Sequence, residues 1–229
     1  MTLLGAPEKK STLSPNPLIP AQAWEWLPYV CEDSHQTMQR DRDLFESMKR
    51  GERPPYLRFY RWKTPTISFG RTHDMSKVPK ETFMADGWSI VQRPTGGGTV
   101  LHQNDLCFSL AWTKNDPVLP WRISDSYLFI HRWIRNSLET LGVSCDFYKT
   151  SQESVYYGDA LCFQNPVCSD LLEGGHKVVG GAQWRSHDAA LHQGSIQMNL
   201  GADALEAFRS GFERQFENRL IGADNTASC

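Results

Sequence analysis

The sequence lacks the features that define several large protein classes. Nowhere does it hold an apolar run near the roughly 20 residues that cross a membrane as a helix. It has no excess of either charge: 24 Lys and Arg against 26 Asp and Glu leave −2 at pH 7, which argues against the basic face of a nucleic-acid binder. The six cysteines, Cys31, Cys107, Cys145, Cys162, Cys168 and Cys229, include no C-x-x-C pair. A disulfide scaffold or a structural zinc site is therefore not expected; most of these thiols should be small buried hydrophobes. The seven histidines show no H-x-x-x-H spacing, so no metal is expected. Ser195 lacks the G-x-S-x-G elbow of a serine hydrolase, and Gly96–Gly98 lacks the G-K-[ST] ending of a P-loop. Met1–Ile19 carries Lys9 and Lys10 but no apolar segment of a secretory signal, so a cytoplasmic location is expected.

What is present centres on Gln92–His102, which reads Gln-Arg-Pro-Thr-Gly-Gly-Gly-Thr-Val-Leu-His. Three successive glycines weaken any helix or strand, but they free the backbone and let a ligand approach it. Arg93 precedes the run, and Thr99 and His102 follow it. A fixed positive charge, backbone donors and an imidazole together suit a carboxylate, a phosphate or a thioester carbonyl. Trp88–Val91 and Thr99–Leu101 read as strands that hold the loop at both ends.

Hydrophobic residues make up 40% of the 229, enough for one large domain with its own core. Residues 1–20, rich in Pro, Ser and Lys, read as a tail, and 223–229 as a second tail. Trp24–Val30 alternates as a first strand. Asp33 or Ser34 caps a helix with Met38, Asp41, Leu44, Phe45 and Met48 at helical spacing, stopped by Gly51. Asp41 falls on the apolar stripe, where a carboxylate is normally paired, so its expected role is structural. Tyr56–Trp62 and Thr66–Gly70 read as two strands joined by a proline turn, and Val78–Asp86 as a short helix. Leu106–Trp112 is a strand, and Ser124 caps a long helix that ends at Gly142. Ser169–Leu172 and Lys177–Ala182 flank Glu-Gly-Gly-His as a hairpin, Ala190–Leu200 is a further strand, and Ala202–Leu220 a last helix. Grouped strands with a few long helices point to an α/β (α+β) fold with a mixed central sheet flanked by helices.

Several of these segments carry candidate chemistry. Lys177, between Gly175 and two valines, is either a solvated hairpin lysine or a partly buried ammonium that binds a carboxylate or carbonyl. Gly180, Gly181 and Ala182 just after it, and His192, Gly194 and Ser195 in the next strand, mark where a ligand could approach the backbone. Cys162, in an irregular segment before Phe163 and Pro166, is either a packed thiol or a nucleophile.

In consistent order from about residue 22 to 217, the chain resembles the catalytic domain shared by lipoate–protein ligases, octanoyltransferases and biotin protein ligases. The residues that carry this are Arg93-Pro-Thr-Gly-Gly-Gly-Thr-Val-Leu-His102, Leu106-Cys-Phe-Ser-Leu110, Lys177-Val-Val-Gly-Gly-Ala-Gln183 and His192-Gln-Gly-Ser-Ile196. Tyr56–Trp62, Thr66–Gly70 and the helix with Met38 and Asp41 fit as well. The resemblance implies a catalytic domain over residues 21–222, with an acyl chain in an apolar tunnel beneath the glycine loop. It also implies that Lys177 holds the carboxyl or thioester carbonyl.

Two chemistries follow from it. An octanoyltransferase takes octanoate from acyl carrier protein onto a cysteine and passes it to a lysine of a lipoyl domain, either glycine cleavage H protein or 2-oxoacid dehydrogenase E2. In one branch that cysteine lies in a Cys-Phe-x-x-Pro stretch, which Cys162-Phe-Gln-Asn-Pro166 matches. A ligase instead activates lipoate with ATP and magnesium, and the Arg-Pro-Thr-Gly-Gly-Gly form leans that way. A ligase of this length is expected to be a short form or to act with a partner subunit. No permanently bound cofactor is expected in either case. A biotin ligase fits the Lys177 region less well, and a non-catalytic lipoyl-domain binder would not need Lys177 and the glycine loop intact.

Overall fold

The computed structural model describes residues 24–77, 80–149 and 166–226. The described chain forms eleven strands and four α-helices. In order these are β1 (Glu25–Trp26), β2 (Val30–Glu32), α1 (Ser34–Lys49), β3 (Tyr56–Trp62), β4 (Thr66–Phe69), α2 (Lys80–Ala85), β5 (Ser89–Gln92) and β6 (Val100–His102). There follow β7 (Leu106–Thr113), α3 (Ile123–Glu139), β8 (Asp146–Phe147), β9 (Leu171–Glu173), β10 (His176–Arg185), β11 (Ala189–Ile196) and α4 (Ala202–Thr226).

The strands form two sheets. The larger runs β1-β3-β7-β11-β10-β9-β8, with β2 also on β3; the smaller runs β5-β4-β6. Pairing is antiparallel from β3 through β9 and parallel for β1, β2 and the β4–β5 pair. This mixed sheet with helices against it is the expected fold class. Tyr56–Trp62 and Thr66–Phe69 do not pair with one another, however. The turn at Pro65 sends β4 into the second sheet, where it lies between β5 and β6.

One face of the large sheet packs on α3 and α4. Phe59, Phe108, Leu110, Ile130, Ile134, Phe208 and Phe212 meet there in the main core. The other face is buried too, because α1 lies across it. Asp33 caps α1 by accepting from His35 N (2.9 Å). The α1 stripe then brings Asp41, fully buried, onto Arg58 of β3 (2.7 Å), Ser109 of β7 (2.9 Å) and Gln193 of β11 (2.6 Å). Asp41 is thus a structural cross-brace between helix and sheet.

Several element ends differ from expectation. The first strand is split into β1 and β2. The residue capping α3 is Arg122 rather than Ser124, and its side chain makes no cap hydrogen bond. The last helix runs to Thr226, through much of the segment read as a tail. A short strand that periodicity does not signal, β8, stands at Asp146–Phe147.

Candidate active site

Where the two sheets face each other they leave a mostly apolar, partly open slot with a cavity volume of about 40 Å³. The small sheet contributes Ser68, Arg93, Val100 and His102. The large sheet contributes Tyr60, Trp62, Cys107, Gln193 and Ser195, and α1 contributes Met38. Lys177, Gly180, Gly181, Ala182 and Gly194 complete the wall. Strand register explains the grouping. Directly opposed residues share a sheet face, and Gly180, Ser195, Cys107 and Tyr60 stand opposite one another across β10, β11, β7 and β3.

The Lys177 side chain is 4% exposed, and its Nζ lies 2.8 Å from Asp170 Oδ2, itself buried. The buried ammonium of the two sequence readings is the observed one. Its stem crosses Gly180, where a Cβ would lie 2.4 Å from Lys177 Cε. The residue before Asp170, Ser169, takes φ 78°, a left-handed conformation that costs a non-glycine residue free energy. Ser169 is held there in part by its carbonyl, which receives His131 Nδ1 at 2.6 Å. Asp170 Oδ2 also accepts from Val167 N (2.7 Å). Sequence reading missed Asp170, because a partner seven residues away across a hairpin leaves no periodic signal.

Gly181 and Gly194 oppose each other on the reverse face of the sheet. A Cβ on Gly181 would lie 2.3 Å from His192 Nε2, and one on Gly194 2.1 Å from Phe108 Cζ. Those two rings stack 5.7 Å apart across the glycine pair. His192 therefore does not line the cavity. It packs on Tyr127 and His131 of α3 and supports the wall from behind. Burial pushes its imidazole well below the ordinary value, helped by His131 and Arg185.

The glycine loop is held from its own side. Arg93, expected to meet a ligand, donates to Gly96 O (2.8 Å), Gly98 O (2.7 Å) and Ser68 O (3.1 Å) while also lining the cavity. Gly96, Gly97, Gly98 and Thr99 themselves do not line it. Thr95 Oγ1 donates to Gln193 Oε1 (2.8 Å), which ties the loop to β11.

His102, Asp105, Cys107 and Ser195 form a buried polar cluster at one wall. Asp105 Oδ2 receives His102 Nδ1 (2.6 Å), Ser195 Oγ (2.5 Å) and Cys107 Sγ (3.1 Å). Burial alone would raise the Asp105 carboxyl, but His102 and the bonds from His102, Ser195 and Cys107 hold it below its ordinary value. Burial, then the Asp105 charge, push the Cys107 thiol well up, so it is a protonated donor. The cluster of His102, Asp105 and Cys107 could hold a metal ion by residue type and proximity, yet hydrogen bonds already account for its geometry. The expected nucleophile, Cys162, lies outside the described residues.

Residues 33–225 match the family described as lipoyl protein ligase A/B catalytic domain, and the chain belongs to that family. It is 31% identical to the octanoyltransferase LipM of Kyrpidia tusciae, over 91% of this chain and 81% of that one. It is 32% identical to the LipM of Moorella thermoacetica, over 92% and 78%. Among solved structures it superposes on protein Ta0514 of T. acidophilum with a TM-score of 0.65, at 20% identity, over 86% of this chain and 84% of that one. A lipoate-protein ligase A bound with ATP gives 0.59 at 22% identity, over 85% and 82%.

Proposed function

We propose that this protein is an octanoyltransferase of protein lipoylation, moving an octanoyl group from acyl carrier protein through Cys162 to a lysine of a lipoyl domain. The acceptor would be glycine cleavage H protein or a 2-oxoacid dehydrogenase E2. The observation that carries the reading is Lys177, buried at the wall of an apolar slot and ion-paired to Asp170. The LipM relatives at about 30% identity over most of the chain point to the same chemistry. The catalytic unit is taken as residues 21–222.

In this scheme the Cys162 thiolate attacks the thioester carbonyl, and the carrier thiol leaves with a proton. The acceptor lysine, as a free amine, then attacks the Cys162 thioester, forming the amide and returning the thiol. Each step passes through a tetrahedral oxyanion. An ammonium held in place beside the carbonyl stabilises that charge without reorganisation. Asp170 fixes the position of the Lys177 ammonium, while Gly180 leaves room for its stem. Thioester exchange is nearly isoenergetic, so no ATP is needed.

A second reading, an ATP-dependent lipoate ligase, is favoured by Arg93-Pro-Thr-Gly-Gly-Gly98 and by the ATP-bound ligase among the structural neighbours. One experiment separates the two. Protein incubated with octanoyl-acyl carrier protein, without ATP, should gain an octanoyl adduct in intact mass spectra, and Cys162→Ser should abolish it. Full activity of Cys162→Ser with lipoate and an absolute need for ATP would establish the ligase.

A further inference from the structure

On the small-sheet wall of the slot, Ser68 Oγ lies 2.8 Å from His102 Nε2, and His102 Nδ1 lies 2.6 Å from Asp105 Oδ2. All three side chains are buried, and Ser68 and His102 line the cavity. No sequence motif announces them. Ser68 sits in β4, and His102 ends β6 two register positions along, since Ser68 pairs with Val100 and Thr66 with His102. Asp105 follows in the turn before β7.

The carboxylate end sets the direction of one of these bonds, and the neutral form of His102 sets the other. Arg93 Nη1 donates to Ser68 Oγ at 3.1 Å, and a guanidinium has no acceptor. The carboxylate at the other end, kept ionised by its donors, can only accept. His102 Nδ1 therefore carries the proton given to Asp105. In a neutral imidazole the other nitrogen then accepts, and the hydrogen it accepts is the Ser68 hydroxyl. This is the order of nucleophile, base and orienting carboxylate by which a serine is activated. Sequence reading set a serine hydrolase aside because Ser195 lacks an elbow; Ser195 is here a further donor to Asp105 (2.5 Å), and a different serine holds the nucleophile position.

We propose that Ser68, His102 and Asp105 give this protein a second activity: hydrolysis of medium-chain acyl esters and thioesters bound in the slot, through an ester on Ser68. Ser68 Oγ adds to the acyl carbonyl while His102 Nε2 takes its proton. The carbon–oxygen or carbon–sulfur bond to the leaving group breaks, and His102 returns the proton to the departing alkoxide or thiolate. Water then adds to the Ser68 ester, with His102 again taking a proton, and the free acid and the Ser68 hydroxyl are regenerated. The Arg93 guanidinium beside Ser68 Oγ supplies positive charge next to the developing oxyanion. The slot's aromatic and aliphatic lining, Met38, Tyr60, Trp62 and Val100, selects an unbranched apolar chain.

The test uses the full chain carrying Cys162→Ala and p-nitrophenyl octanoate. That variant lacks the transfer nucleophile, so the outcome does not depend on the transfer scheme. The expected results are p-nitrophenol release with a burst, and an octanoyl ester mapped by peptide mass spectrometry to Ser68. Adding Ser68→Ala should lower turnover about 10²-fold or more, and Asp105→Asn should lower it and change its pH profile. Ser68→Cys should take the acyl group as a hydroxylamine-sensitive thioester, which guards against a loss caused by misfolding. Unchanged turnover in Ser68→Ala, or no adduct on position 68 in folded Ser68→Cys, would overturn the proposal.

Discussion

At the scale of single residues, the bare Cα atoms of β10 and β11 do two separate jobs, and substitutions should tell them apart. At Gly180 an added methyl meets the far end of the flexible Lys177 side chain. That chain can swing away, so Gly180→Ala is expected to cost little stability but to misplace the ammonium. A loss of transfer rate on the order of 10²-fold should accompany a nearly unchanged urea midpoint. At Gly194 the same methyl meets Phe108, fully buried with nowhere to move. Gly194→Ala should lower stability by about 1–3 kcal/mol, read as a shift in that midpoint. Legibility differed in the same way. Lys177 was visible as a candidate because glycines and valines flank it, but whether it was buried was not, since the carboxylate that keeps it inside belongs to the opposite arm of a hairpin. His192 was visible as a strand residue beside a glycine. Which face it occupied depended on register, and a single-residue slip would have placed it in the slot.

At the scale of elements, β3 shows how a helix changes the meaning of a pattern. Tyr56-Leu-Arg-Phe-Tyr-Arg-Trp62 alternates as a strand with one wet face would, and six of its seven residues are nevertheless buried. The polar face is dry because α1 covers it, and Arg58 finds Asp41 there. Asp41 was readable as a paired carboxylate from its place on the apolar stripe, although its partner was not. Asp41→Ala leaves a buried guanidinium without its closest counter-charge and is expected to destabilise the fold by about 3–5 kcal/mol. Chemical denaturation at neutral pH measures this directly. The swap of β4 into a second sheet was not legible. A strand of four residues can pair wherever the chain carries it, and Pro65 signals only that the chain turns.

At the scale of the whole molecule, buried imidazoles set the acid side of stability. Burial holds His131 and His192 below their ordinary value of 6.5, His192 strongly so. The unfolded chain therefore binds protons in a range where the native state refuses them, and stability rises with pH through that range. The melting temperature is expected to fall as pH drops below about 6.5, and His192→Gln should flatten that slope. The lowered Asp105 carboxyl adds a second loss at more acid pH, as protonation reaches its folded value below the ordinary 3.8. No helix among the described residues is long and apolar enough to cross a membrane. The α/β class, the long helices and most strands followed from periodicity and turn residues. The division into two sheets, and hence the slot between them, arose from pairing across distant parts of the chain.

That division has a mechanical consequence. Each sheet is locked internally by its backbone ladder, whereas the bonds that cross the gap include Thr95 to Gln193, Arg42 to Gln92 O, Ser34 to Ser89 and Gln197 to Leu101 O. Every one of these uses a side chain. The two walls, with α1 between them, are thus joined by side chains, polar at these bonds and apolar where Val91 packs on Met38, Tyr60 and Trp62, so trimming those side chains should widen the opening without unzipping a single strand.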